Sequence, residues 1–124
     1  MGELIYKDES FKIIGCCLEV YNTLGRGFLE IVYKDALEYE FIKNNIPYQR
    51  EKEFPIPYKE TILPHKFYAD FTVYDKIILE IKHAEMISKE YIAKTLNYIT
   101  VSKYKLGLIV NFGESSLSHK RIVL

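Results

Sequence analysis

The chain has 124 residues, 48% of them apolar, with eleven tyrosines and no tryptophan, and its seventeen basic side chains balance seventeen acidic ones. That neutrality gives no general support for nucleic-acid affinity, so any such binding needs a local basic patch. The length suits one domain over residues 1–124. With no apolar run of membrane-spanning length and no signal-peptide pattern, a cytoplasmic protein is expected.

Residues 8–24 carry a helical pattern with two adjacent apolar stripes: Phe11, Ile14, Leu18 and Tyr21, then Ile13, Cys17, Val20 and Leu24. So wide a surface predicts a helix packed on more than one side. Cys16 and Cys17 point about 100° apart on that helix and read as reduced, packed thiols. Gly25 caps the helix. Gly25-Arg26-Gly27 lacks the strand and the length of a phosphate-cradling loop and reads as a tight helix-to-helix connection.

A second helix is predicted over 28–44, its apolar side marked by Leu29, Val32, Tyr33, Ala36, Leu37 and Phe41, and Asn44-Asn45-Ile46-Pro47 ends it. Residues 48–58 alternate, although Pro55 and Pro57 push the later part toward a sheet edge. Pro64 is expected to break 61–65 from a strand over 66–74. A strand follows at 77–82, then a helix from the Ser88 N-cap to about residue 103, with Tyr91, Ile92, Thr95, Leu96 and Ile99 inward. Residues 106–112 form a buried strand closed by Gly113, and 119–124 a last edge strand. The order α-α-β-β-β-α-β-β gives an α/β (α+β) fold, a mixed sheet flanked by helices.

The charges on the central strands carry the functional reading. Ile77-Ile78-Leu79 looks buried on both faces, yet Glu80-Ile81-Lys82 follows, and residues two apart on a strand share a face. Ionised groups are rarely buried unless they pair or bind a metal. One reading pairs Lys82 with Glu80 and leaves Asp70 solvated. The other makes Asp70, Glu80 and the backbone carbonyl of Ile81 ligands of a divalent cation, Mg²⁺ or Mn²⁺, with Lys82 beside the attacking water. Register decides between them. A two-residue turn at Asp75-Lys76 would put Asp70 opposite Ile81, facing away from Glu80. An odd loop, Tyr74-Asp75-Lys76, would put Asp70 opposite Glu80, and Asp75 is a tolerable residue for its left-handed position.

Gly27-Phe28-Leu29-Glu30-Ile31-Val32-Tyr33 resembles the signature of the GxxExxY protein family, a prokaryotic group in the PD-(D/E)XK nuclease superfamily. The likeness continues in order through Ala69-Asp70, Glu80-Ile81-Lys82, Leu96-Asn97-Tyr98 and Asn111-Phe112-Gly113. It implies a mixed-sheet core, Asp70 and Glu80 as metal ligands, Lys82 as the catalytic lysine and Glu30 as a helix-borne acid beside the metal. Ala69 replaces the proline of the superfamily motif. Lys94 stands where a glutamine is expected, adding a phosphate contact or marking a drift in the chemistry.

Glu30 also has a plainer reading, as a carboxylate favoured at any helix N-terminus. Tyr33 reads as core, with its hydroxyl available to Glu30 or another site group. His83 is expected on the face opposite Lys82. The leading functional expectation is a Mg²⁺-dependent nuclease acting on nucleic acid, with DNA the favoured substrate and the choice between DNA and RNA left open by the sequence. Lys89, Lys94, Lys103 and Lys105 would face the phosphates, or simply form a solvated helix face. A homodimer across the tyrosine-rich helices would help so short a chain span a duplex. The alternatives are an inactive binding or assembly module, with Asp70, Glu80 and Lys82 in a closed ion-pair cluster, and a hydrolase of small phosphate compounds with a deep pocket over Glu80.

Overall fold

A computed structural model describes residues 4–124. Helices α1 (Lys7–Leu24) and α2 (Glu30–Lys43) precede β1 (Tyr48–Tyr58), β2 (Thr61–Val73) and β3 (Ile77–Lys82). Helix α3 (Lys89–Ser102), β4 (Leu106–Asn111) and β5 (Ser118–Val123) complete the chain. The five strands lie in the order β1-β2-β3-β4-β5. Only β3 and β4 run parallel, and α3 makes the crossover between them.

The sheet has a different helix layer on each face. Ile77, Leu79 and Ile81 of β3, with Leu106, Leu108 and Val110 of β4, pack with Ile13, Cys17 and Val20 of α1 and Tyr33, Leu37 and Phe41 of α2. The intervening residues face α3. Ile78 joins Tyr98 and Val101, and Ile109 joins Ile99 and Leu96. Helix α3 rests close on β4, since a Cβ added to Gly107 would meet Thr95 Cγ2 at 2.6 Å. Of the two stripes predicted on α1, the one through Ile13, Cys17 and Val20 is buried, and the other is packed on the core only at Ile14 and Tyr21. Phe11 and Leu18 point outward because α1 touches α2 and the sheet on one side only.

The proline-rich strands also depart from expectation. β1 and β2 form a long hairpin whose register shifts between Pro55 and Pro57, where Pro55 pairs with Lys66 but Pro57 pairs with Ile62. Leu63, Pro64 and His65 therefore stand opposite Ile56 alone. The bulge absorbs Pro64 without ending the strand.

Of β2, only Phe71 to Val73 pairs with β3. Before that point the hairpin leaves the sheet. Phe71 and Val73 belong to the α1/α2 core, but Ala69 and Phe67 pack with Ile78, Phe54, Tyr98 and Tyr104 toward α3. Phe67 lies flat on Tyr98, with ring centroids 4.0 Å apart and 2° between planes. The change of side falls at Glu51 and Asp70, the gap between the Arg50–Phe71 and Lys52–Ala69 pairs. Glu51 has a left-handed φ of 55° there, a conformation that non-glycine residues adopt rarely.

Candidate metal and nucleic-acid site

The β2–β3 turn is the odd one. Val73 pairs with Ile77, leaving Tyr74-Asp75-Lys76 as a three-residue loop in which Tyr74 and Asp75 have φ of 56° and 54°. Continuing that register places Asp70 opposite Glu80. Here the ladder ends, and side chains take over its hydrogen bonds. The backbone N–H of Asp70 donates to Glu80 Oε2 at 2.9 Å, and the N–H of Ile81 donates to Asp70 Oδ2 at 2.8 Å. The first of these bonds also explains the gap in the register, because the Asp70 amide is committed to Glu80 instead of β1. A strand residue aims its N–H and C=O at the same neighbour. The Ile81 carbonyl therefore projects into the gap that holds the Asp70 carboxylate.

Glu80 is 5% exposed. Burial first, and the Asp70 charge second, raise its pKa from 4.5 to about 8, against the lowering effects of the Asp70 N–H bond and of the Lys82 and Lys34 charges. A buried carboxyl under that load favours a positive charge beside it. Two carboxylates and a carbonyl are oxygen donors of the kind Mg²⁺ or Mn²⁺ takes, with water supplying the remainder. Among the described residues no three His, Cys, Asp or Glu side chains converge on one point. An ion would therefore rest on Asp70, Glu80 and the Ile81 carbonyl.

Lys82 shares the Glu80 face but forms no ion pair with it among the described residues. Its Nζ lies 4.7 Å from the centroid of the Tyr91 ring on α3. The simple Lys82–Glu80 pairing is thus replaced by a cation–π contact. The ion pair at the site comes from elsewhere: Lys34 of α2 reaches Asp70 Oδ1 at 3.3 Å and Glu51 Oε1 at 2.9 Å. Sequence reading missed Lys34. Its one signal is position, four residues after Glu30 on the same helix face.

Glu30 opens α2, and its Oε2 accepts from the His83 N–H at 3.2 Å, just beyond the end of β3. Gly27-x-x-Glu30-x-x-Tyr33 therefore has a mechanical meaning. Gly27 turns at φ 110°, while the Tyr33 hydroxyl donates to Gly25 O and accepts from the Phe28 N–H. That closed turn aims the first residue of α2 at β3. Tyr33 thus serves the turn and not Glu30. His83 stacks on Tyr33 on the face opposite Lys82, with centroids 6.0 Å apart.

After Lys82 the chain is held by Asn111, which is fully buried. Its Oδ1 accepts from the N–H groups of Ala84 and Gly113, and its Nδ2 donates to Ala84 O and Glu114 Oε2. Gly113 lies so close to Ala84 that an added Cβ would collide with its backbone nitrogen and carbonyl group.

The four lysines assigned to phosphate contact do not converge. Lys89 and Lys94 are exposed on the first half of α3, which starts at the Lys82 end of the sheet. Lys103 and Lys105 precede β4, whose first residue pairs with Ile77, whereas Lys82 pairs with Asn111. They stand about 17 Å farther along the strands, at roughly 3.3 Å per residue. The surface clefts lined by Cys16, Asn44 and Tyr74 and by Ile99, Tyr104 and Arg121 contain none of Asp70, Glu80 or Lys82. Among the described residues, no helix is long and apolar enough to cross a membrane.

The sequence model of the PD-(D/E)XK nuclease superfamily matches residues 7–122. The α-α-β-β-β-α-β-β order and mixed sheet fit that fold. The crystal structure of SSO0001 is similar, with a TM-score of 0.52 over 94% of this chain and 78% of that one, at 13% identity. No curated protein matches the chain.

Proposed function

The chain belongs to the PD-(D/E)XK nuclease superfamily, and from that membership we propose a metal-dependent nuclease that hydrolyses phosphodiester bonds in nucleic acid, with DNA as its substrate. The observation that carries this reading is the mutual clasp of Asp70 and Glu80 beside the Ile81 carbonyl, with Lys82 on the Glu80 face and free of both carboxylates. Gly27, Glu30 and Tyr33 support the narrower assignment to the GxxExxY family.

Asp70, Glu80 and the Ile81 carbonyl would hold Mg²⁺ or Mn²⁺. When bound, the ion supplies Lewis acidity toward a phosphate oxygen and acidifies a water. Lys82 would orient the attacking water and stabilise the negative charge that builds on the phosphoryl oxygens. Tyr91 keeps the Lys82 ammonium on the α3 side, and Lys94, exposed on the same helix, would contact a flanking phosphate, with Lys89 serving another at the start of α3. Glu30 and Asn111 fix the backbone immediately after Lys82, through His83 and Ala84.

One observation favours a second reading, a binding module that keeps the fold without turnover: Lys34 already neutralises Asp70. Calorimetric titration of Mn²⁺ into the wild type and into Asp70→Asn, with a nuclease assay on the same samples, separates the two. The nuclease reading expects binding that vanishes in the variant, together with Mn²⁺-dependent cleavage of DNA. Binding without cleavage of any nucleic acid favours the module, and absence of binding overturns the metal site.

A further inference from the structure

Lys34 and Glu51 have no part in the chemistry just proposed, yet the fold goes to some length to bring them to Asp70. The Lys34 side chain is 12% exposed, whereas that of Glu51 is 49% exposed. Burial works against the ammonium, but the bond to Glu51 and the Asp70 charge outweigh it, holding the Lys34 pKa above its ordinary value. Glu51 reaches Lys34 from the break in the hairpin. Its neighbour Arg50 turns to Asp35 and Glu38 on α2, and Lys52 turns to Tyr104 by α3. The left-handed backbone of Glu51 stands between those two directions.

Lys34 is therefore shared. It lies closer to Glu51 (2.9 Å) than to Asp70 (3.3 Å), and it occupies Asp70 Oδ1 while Oδ2 is taken by Ile81 N–H. A divalent cation arriving at Asp70 repels an ammonium at that distance and competes for the same carboxylate. The repelled ammonium has a second partner already in contact, with a route to water past the half-exposed Glu51.

We propose that Lys34 is a tethered counter-cation that fills the charge of the site when no metal is bound, and that Glu51 is the station that retains it when a metal displaces it from Asp70. The inference rests on the reading of Asp70 and Glu80 as metal ligands. It makes Glu51 an indirect promoter of metal binding and Lys34 a competitor of the metal, acting through one shared ion pair.

Mn²⁺ is titrated calorimetrically into the wild type, Lys34→Met, Glu51→Gln and the double variant, with melting curves in EDTA to establish that each is folded. Lys34→Met is expected to bind Mn²⁺ about threefold to tenfold more tightly, and Glu51→Gln at least about threefold more weakly. In the Lys34→Met background the effect of Glu51→Gln is expected to shrink to about twofold or less, because nothing remains for Glu51 to hold. Lys34→Gln, which keeps a hydrogen-bond donor without the charge, is the second variant and is expected to tighten binding likewise. An equal effect of Glu51→Gln in both backgrounds overturns the proposal, since Glu51 would then act on the metal directly. Weaker binding in both Lys34 variants overturns it too, making Lys34 a support for Asp70. Wild-type binding with unresponsive variants defeats this inference alone, whereas a wild type that binds no Mn²⁺ defeats it together with the metal-ligand reading.

Discussion

Asp70 and Glu80 are tied through each other's strands: the Glu80 carboxylate accepts from the Asp70 amide, and the Asp70 carboxylate accepts from the amide next to Glu80. Each acid is thus fixed by the backbone that carries its partner. Two like charges are brought together while the amide bonds offset part of their repulsion.

The first prediction concerns pH. Folding raises the Glu80 pKa from 4.5 to about 8 through burial and the Asp70 charge. Between those values the folded protein holds a proton that the unfolded chain releases, so metal-free stability falls as pH rises through that window. In EDTA, the melting temperature is expected to drop by at least about 5 °C from near pH 5 to pH 8, and Glu80→Gln to lose most of that slope. Mn²⁺ binding near pH 7 should release up to about one proton, read as a dependence of the binding enthalpy on the buffer. A wild-type slope equal to that of Glu80→Gln would contradict this account.

Lys82 is expected to separate binding from turnover. Its ammonium contacts Tyr91 and neither carboxylate, while its charge is felt at Glu80, so Lys82→Met should leave Mn²⁺ binding as tight as in the wild type or tighter. The cleavage rate on DNA should fall by about 100-fold or more. A large loss of Mn²⁺ affinity would place the lysine among the groups that organise the metal ligands.

Tyr33→Phe removes one hydroxyl that both donates and accepts inside a fully buried setting. A loss of about 1–3 kcal/mol is expected in urea unfolding, because Gly25 O and Phe28 N–H lose their partner. Leu37→Ala, equally buried in the same core, serves as the comparison: it should cost stability without disturbing the turn that aims Glu30.

Gly113→Ala forces a methyl group against the backbone of Ala84. Backbone cannot yield there as a flexible side chain would, and a loss of about 2 kcal/mol or more is expected. Because Ala84 lies two residues after Lys82, the surviving folded fraction should also show reduced cleavage per molecule. Unchanged stability would mean that the segment after β3 moves freely.

Element order was legible in the chain because periodicity and turn residues marked each helix and strand. Gly25, the Asn44–Pro47 stop and the Ser88 N-cap bound the helices close to where expected. The Asp70–Glu80 register was framed as two alternatives, and the left-handed Tyr74 and Asp75 decide it. Lys34 was missed, since a partner 36 residues away marks it only by its place one helical turn after Glu30. The spread of the basic residues was hidden for a related reason: α3 carries them from one end of the sheet to the other, so closeness in sequence becomes distance in space. Pro64 misled because a proline forbids a ladder bond and not a bulge.

The separations along the chain also set an order of events during folding. Asp70 and Glu80 are ten residues apart across a tight turn, whereas Lys34 comes from 36 residues before Asp70 and Glu30 from 53 residues before His83. Short loops close sooner than long ones. The two acids are therefore expected to meet before α2 delivers its ammonium, and in that interval Lys82, the two amide bonds and a proton or cation from solution share the work of relieving them. If Asp70 and Glu80 are metal ligands, divalent metal or mild acid is expected to speed refolding of the chain, before any substrate is present.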